Sequence, residues 1–131
     1  MGRRKSFDED LVLEQAGKCF ARYGFEACSL DQLVEETGLL RGSLYAAFGS
    51  KRGIFLASLA RAMAKEKHPM SMELILVAMM ELSARDEAIR EQLEAYLKGK
   101  GPDFTRELGA CLLERGKLEM KDEKRGKKNG K

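Results

Sequence analysis

Residues Ser29 to Lys51, SLDQLVEETGLLRGSLYAAFGSK, constrain this chain most strongly, because they read as two short helices joined by a glycine-containing turn. Ser29 precedes an apolar-periodic run and has Gln32 three positions later, as a capping box requires. A helix is expected to start there, with Leu30, Leu33 and Val34 on one face, and to stop at Thr37-Gly38, where glycine can adopt the left-handed backbone that turns the chain. In the second helix Leu44 and Phe48 are four apart and share an inward face, while Arg41, Ser43, Ala46 and Ala47 point elsewhere, where the base edges of a DNA groove could meet them. Gly49-Ser50 ends this helix. Ser50 can cap a third, expected to run from Lys51 through Ile54, Phe55, Leu59 and Met63 to about Lys67.

Upstream, Val12, Leu13, Ala16, Cys19, Phe20 and Tyr23 recur at helical spacing, Asp8, Glu9 and Asp10 suit the positive end of a helix dipole, and Gly24 follows as a stop. Helix, stop, helix-turn-helix and long helix together resemble the N-terminal DNA-binding domain of the TetR family of transcriptional regulators. The family's aliphatic pair, Ala and Phe of the first helix are matched by Val12, Leu13, Ala16 and Phe20, and its glycine and aromatic by Gly24 and Phe25. Gly42-Ser43-Leu44-Tyr45-x-x-Phe48-x-x-Lys51 is similar to the family's Gly-Thr-Leu-Tyr-x-x-Phe-x-x-Lys, and the likeness covers roughly residues 8 to 63.

The resemblance implies an all-α fold, a three-helix TetR-type helix-turn-helix domain followed by a short helical C-terminal region. It implies backbone contacts to DNA from Tyr45 and Lys51, and base-facing or phosphate-facing positions at Arg41 and Ser43. Around these, Ser29, Leu40, Gly42 and Ala46 complete the candidate DNA-binding set, with Arg3 and Arg4 of the N-terminal basic arm. The chemistry of the residues agrees: Lys51 and Arg52 would donate to phosphate, and Arg41 could bind a guanine edge bidentately. Leu40 and Ala47 depart from the family pattern. Leucine stands where a Ser or Thr usually caps the recognition helix, a loss of about 1 kcal/mol unless Thr37 or a bound phosphate satisfies the open backbone donors. It could instead touch a thymine methyl.

The 131 residues divide by this reading into a DNA-binding domain (1–67) with its basic arm, a short helical dimerisation or regulatory region (68–120) and a disordered basic tail (121–131). Hydrophobic content is 44% without a long apolar run, so no membrane span is expected, and the basic, then acidic start does not read as a signal peptide. A cytoplasmic protein is expected. The net charge of +3 is too small to argue nucleic-acid binding alone, so the placement of the basic residues matters more than their total.

His68-Pro69 breaks the chain before SMELILVAMMELSARDEAIREQLEAYLKG. Leu74, Leu76, Val77 and Met80 widen the apolar stripe of this segment until its first half must be buried nearly all round, and Asp86 is placed to cap a restart. That apolar helix is expected to exceed what so small a chain can cover, which makes Met72, Ile75, Met79 and Leu82 the candidate dimerisation surface. Pro102 suits the first turn of a final helix bearing Phe104, Leu108, Cys111, Leu112 and Leu118. Some fifty residues hardly enclose a pocket of a few hundred cubic ångströms, so a large effector fits poorly unless its pocket forms between subunits.

The partners implied are a double-stranded DNA operator, read as a palindrome, and a second copy of the chain; no cofactor, metal or membrane is implied. Cys19, Cys28 and Cys111 lack metal-ligand spacing and there is a single histidine. Cys19 and Cys111 read as small core residues; Cys28, beside the Ser29 cap, reads first as an inert thiol, with a pKa lowered by the helix N-terminus and oxidant sensing as the minor alternative. No phosphate-cradling loop, nucleophile elbow or His-Glu metal helix supports an enzyme. The rival to a DNA-binding repressor is a shortened interaction protein that pairs with a full-length homologue and does not itself bind DNA.

Overall fold

Seven α-helices and one π-helical turn carry the regular structure of the computed structural model, which describes residues 7–65 and 69–120. They are α1 (Glu9–Tyr23), α2 (Leu30–Thr37), α3 (Arg41–Phe48), α4 (Lys51–Ala64), α5 (Pro69–Val77), the π-helical turn (Ala78–Leu82), α6 (Glu87–Leu97) and α7 (Pro102–Arg115). No strand occurs among the described residues, so the fold is all-α. The described residues up to Gly99 form one compact unit and those from Lys100 a second.

Local chemistry explains where the helices of the first unit begin and end. The Asp8 carboxylate accepts from the N–H groups of Asp10 at 3.1 Å and Leu11 at 3.4 Å, opening α1. Gly24, at φ +88°, closes it with its N–H on the Phe20 carbonyl. Ser50 caps α4 through the Gly53 N–H at 3.0 Å, and Asp86 caps α6 through the Ile89 N–H at 3.3 Å. Helix α4 ends at Ala64 rather than near Lys67; His68 and the basic segments at the two ends of the chain, Arg3 and Arg4 included, lie outside the described residues.

The core forms where α1 and α4 cross, with Val12, Leu13, Ala16 and Phe20 of one helix against Ile54, Phe55 and Leu59 of the other. Phe20 meets Phe55 edge-on with ring centroids 5.1 Å apart, and Phe25 joins both rings from the turn after α1. Against this pair packs α5. Leu74, Ile75, Val77 and Ala78 are buried as the all-round apolar pattern requires, each larger aliphatic side chain contributing about 1.5–3 kcal/mol of transfer free energy.

The coverage of α5 corrects one expectation. Ile75 is fully buried and Leu82 nearly so, because α1, α4 and, beyond the π-helical turn, α6 cover this segment from within the chain. Of the four residues assigned to dimerisation, only Met72 and Met79 keep partial exposure. The first compact unit runs to Gly99, and within it α5 joins the core that α1 and α4 begin.

The second unit holds α7, entered through Pro102 in its first turn. None of its residues is buried: Phe104, Leu108 and Cys111 are half-exposed and Leu112 is exposed. Leu118 falls beyond the helix, after Lys117 at φ +58°. Among the described residues, no helix is long and apolar enough to cross a membrane.

Candidate nucleic-acid interface

Two of the shortest helices make the site. The capping box of α2 is complete, with the Ser29 hydroxyl accepting from the Gln32 N–H at 3.0 Å and the Gln32 side chain accepting from the Ser29 N–H at 2.8 Å. Gly38, at φ +77°, ends α2 in the left-handed conformation, and nothing lies within reach of a Cβ there, so backbone conformation alone demands glycine. The Thr37 hydroxyl donates to the Leu33 carbonyl at 2.7 Å and accepts from the Leu39 N–H at 3.2 Å. It therefore rigidifies the turn and does not cap α3. Leu40, 75% exposed, occupies the N-cap of α3 without any side-chain bond.

Helix α3 is held by little. Leu44 is its one fully buried residue and Phe48 is half-buried, whereas Arg41, Gly42, Ser43, Tyr45 and Ala46 are exposed together along the outer side. The uncapped first turn presents backbone N–H groups and the positive end of the helix dipole to solvent, an arrangement that favours an anion such as phosphate. The Arg41 guanidinium donates once, through Nη2, to the Asp31 carboxylate of α2 at 2.9 Å. The rest of its side chain is exposed to solvent.

At the adjoining start of α4, the two neighbouring cations behave differently. Lys51 donates from Nζ to the Glu26 carbonyl at 3.3 Å and stands 4.6 Å from the centroid of the Phe25 ring. Arg52 is engaged by Asp86 in a two-point ion pair at 2.7 and 2.9 Å. The pair raises the Arg52 pKa, and the Arg52 guanidinium draws the Asp86 carboxyl down to about 2. A Cβ on Gly53 would strike the Phe48 carbonyl, so glycine there allows α3 and α4 to approach closely.

Cys28 does not behave as its position beside a helix cap promised. It is buried with its Sγ 2.8 Å from Cys19 Sγ, and burial, reinforced by that contact, pushes the Cys28 thiol well above its ordinary value. The Cys19 thiol is also raised by burial. A protonated, enclosed thiol is a poor oxidant sensor. Among the described residues, no cluster of His, Cys, Asp and Glu could hold a metal ion.

The sequence pattern located the exposed face but missed Asp31, Gly53 and the pairing of Asp86 with Arg52. An acidic residue in the first turn of α2 was a usable signal for the Arg41 pair, since helix-turn-helix geometry brings that turn near the start of α3. Nothing local announced the ion pair of Asp86 with Arg52, 34 residues away.

The arrangement of α2, turn and α3 over a supporting α1–α4 pair defines a helix-turn-helix domain. Residues 12–58 match the family profile described as "Bacterial regulatory proteins, tetR family". Over these residues the chain is similar to that family. It is 47% identical over 58 residues to the "Uncharacterized HTH-type transcriptional regulator YezE" of Bacillus subtilis, covering 44% of this chain and 30% of that protein. Over 60 residues it is 50% identical to the "HTH-type transcriptional repressor ComR" of Escherichia coli, covering 46% of this chain and 29% of that one. The "HTH-type transcriptional repressor AcnR" of Corynebacterium glutamicum is 41% identical over 56 residues, 43% of this chain and 30% of its own length. The matched region thus spans about a third of these relatives. No solved structure gives a significant match.

Proposed function

We propose that the chain is a DNA-binding transcriptional regulator, a repressor that binds a palindromic operator as a homodimer with α3 in the major groove. The observation that carries this reading is the outer side of α3, where Arg41, Gly42, Ser43, Tyr45 and Ala46 are exposed together while Leu44 anchors the helix from behind. In this arrangement Arg41 reads a guanine edge with the donors Asp31 leaves free. Tyr45 and Lys51 contact the flanking phosphates, and the open first turn of α3 receives another. Ser29, by capping α2, fixes the helix against which α3 is set. Relatives named as transcriptional repressors support the sign of regulation.

A single helix-turn-helix module makes few contacts, so operator-level affinity calls for two, with half-sites about 34–36 Å apart along the duplex. The region from residue 68 to 120 is proposed to supply pairing and any regulation, and the cytoplasm is the compartment in which such a regulator acts. Burial removes Ile75 and Leu82 from any surface a second copy could touch.

Gel shifts with duplexes enriched from a randomised pool, run beside size-exclusion chromatography, test the reading. A dimer that shifts a palindromic duplex supports it. A monomer that shifts no duplex contradicts it and favours the shortened interaction protein that pairs with a full-length homologue.

A further inference from the structure

The turn between α1 and α2 is gripped from outside by the π-helical turn, and this grip continues into the cation at the start of α4. Glu81 accepts on Oε1 the N–H of Phe25 at 3.2 Å and the N–H of Glu26 at 2.9 Å. Its Oε2 lies so close to the α-carbon of Gly24 that a Cβ would overlap it. The π-helical turn, closed by the Ser83 N–H on the Ala78 carbonyl at 2.8 Å, inserts a residue into the helical repeat and so resets the direction in which Glu81 projects. Arg85 braces the same joint, donating from Nε to the Glu81 carbonyl at 3.0 Å and from Nη2 to the Glu26 carboxylate at 2.6 Å.

Both groups on which Lys51 rests belong to the residues Glu81 holds. The Glu26 carbonyl accepts from Lys51 Nζ, and the Phe25 ring, backed by Phe20 and Phe55, presents its face to the same ammonium. A lysine at a helix start carries four rotatable bonds, and an unsupported ammonium would sample many positions. Here one of its three donors is fixed and two remain for phosphate.

We propose that Glu81 is a positioning residue for DNA binding: by clamping the Phe25 and Glu26 amides it aims the Lys51 ammonium at the DNA backbone. This rests on the DNA-binding reading above. Glu81 touches no DNA itself, and its effect passes through Lys51, so the two residues act as one unit although they lie 30 positions apart in the chain. The clamp also ties the segment after α5 to the DNA-binding face.

Fluorescence anisotropy with a labelled short duplex of mixed sequence, measured over a salt series, tests the assignment with the parent chain, Lys51→Ala, Glu81→Ala, Glu81→Gln and the Glu81→Ala, Lys51→Ala pair. Glu81→Ala is expected to weaken binding about three- to tenfold and to flatten the plot of log affinity against log salt by about 0.9 per bound chain, the loss of one phosphate contact. Glu81→Gln, whose amide oxygen accepts the same two N–H groups, is expected to restore both. In the Lys51→Ala background, Glu81→Ala is expected to add nothing. A parental salt slope in Glu81→Ala, or its full effect persisting without Lys51, overturns the inference while leaving DNA binding intact. A parent chain that binds no duplex overturns both.

Discussion

Helices α3 and α5 are nearly the same length, eight and nine residues, and they are used in opposite ways. From Leu74 to Val77, α5 is buried at four consecutive positions, so this whole turn serves the interior. Along α3, Leu44 alone is fully buried and most of the remainder faces solvent. The contrast shows how a small domain can carry a recognition surface: the apolar mass gathered at α1, α4 and α5 holds the fold, which frees α3 to be chosen for what it touches. Substitutions in α5 should therefore change stability with little direct effect on the proposed DNA surface. Those in α3 should do the reverse.

The largest departure from the parent is expected of Ile75→Ala, which opens a cavity in the covered face of α5. It should lower stability by about 2–5 kcal/mol in denaturant titrations, while the fraction that remains folded binds DNA with the parent's base preference. A change of base preference in that variant would break the division of labour. Arg41→Ala should behave oppositely, relaxing discrimination at one base position by about 1–3 kcal/mol with an unchanged denaturation midpoint, since its exposed pair with Asp31 adds little to stability.

Smaller still is the change expected of Leu40→Ser, which gives α3 the side-chain cap it lacks. That substitution should stabilise the domain by about 1 kcal/mol, and a neutral or destabilising result in a thermal melt would mean that Leu40 packs in a way its exposure hides. The smallest is electrostatic. Asp86 titrates near 2 when folded against an ordinary value of about 3.9, so its contribution is complete above about pH 4 and is lost as the pH falls through 2. Asp86→Asn keeps a capping side chain but loses the Arg52 ion pair, so the melting temperatures of parent and variant should converge as the pH falls from about 4 to about 2. A gap that stays constant over that window would assign the difference to something other than the carboxylate.

Much of this comparison was legible before any coordinates, because the signals were local. Ser29 with Gln32, Gly38, Gly49, Pro102 and the capping Asp86 each act within one helical turn, and each stands where the pattern placed it. The inward Leu44 and outward Arg41, Ser43 and Tyr45 followed from helical periodicity in the same way. What escaped was set by partners distant in the chain. The apolar width of α5 showed that it must be covered but not by what, and α1 and α4 supply cover from within the chain. The π-helical turn has no compositional signature here; the carboxylate it carries meets amides 55 and 56 residues away. At Cys28 two local influences compete: its cap-adjacent place favours a thiolate, yet burial against Cys19 outweighs the helix end and leaves the thiol inert.

The central claim is that α3 presents its outer side to DNA while α5 stays inside. Titrating the isotope-labelled chain with duplex DNA and following each backbone amide by nuclear magnetic resonance tests it most directly. The amides from Arg41 to Ala46 and that of Lys51 should shift strongly and saturate together, with Leu74 to Val77 scarcely moved. Perturbations concentrated on α6 or α7, with α3 silent, would contradict it.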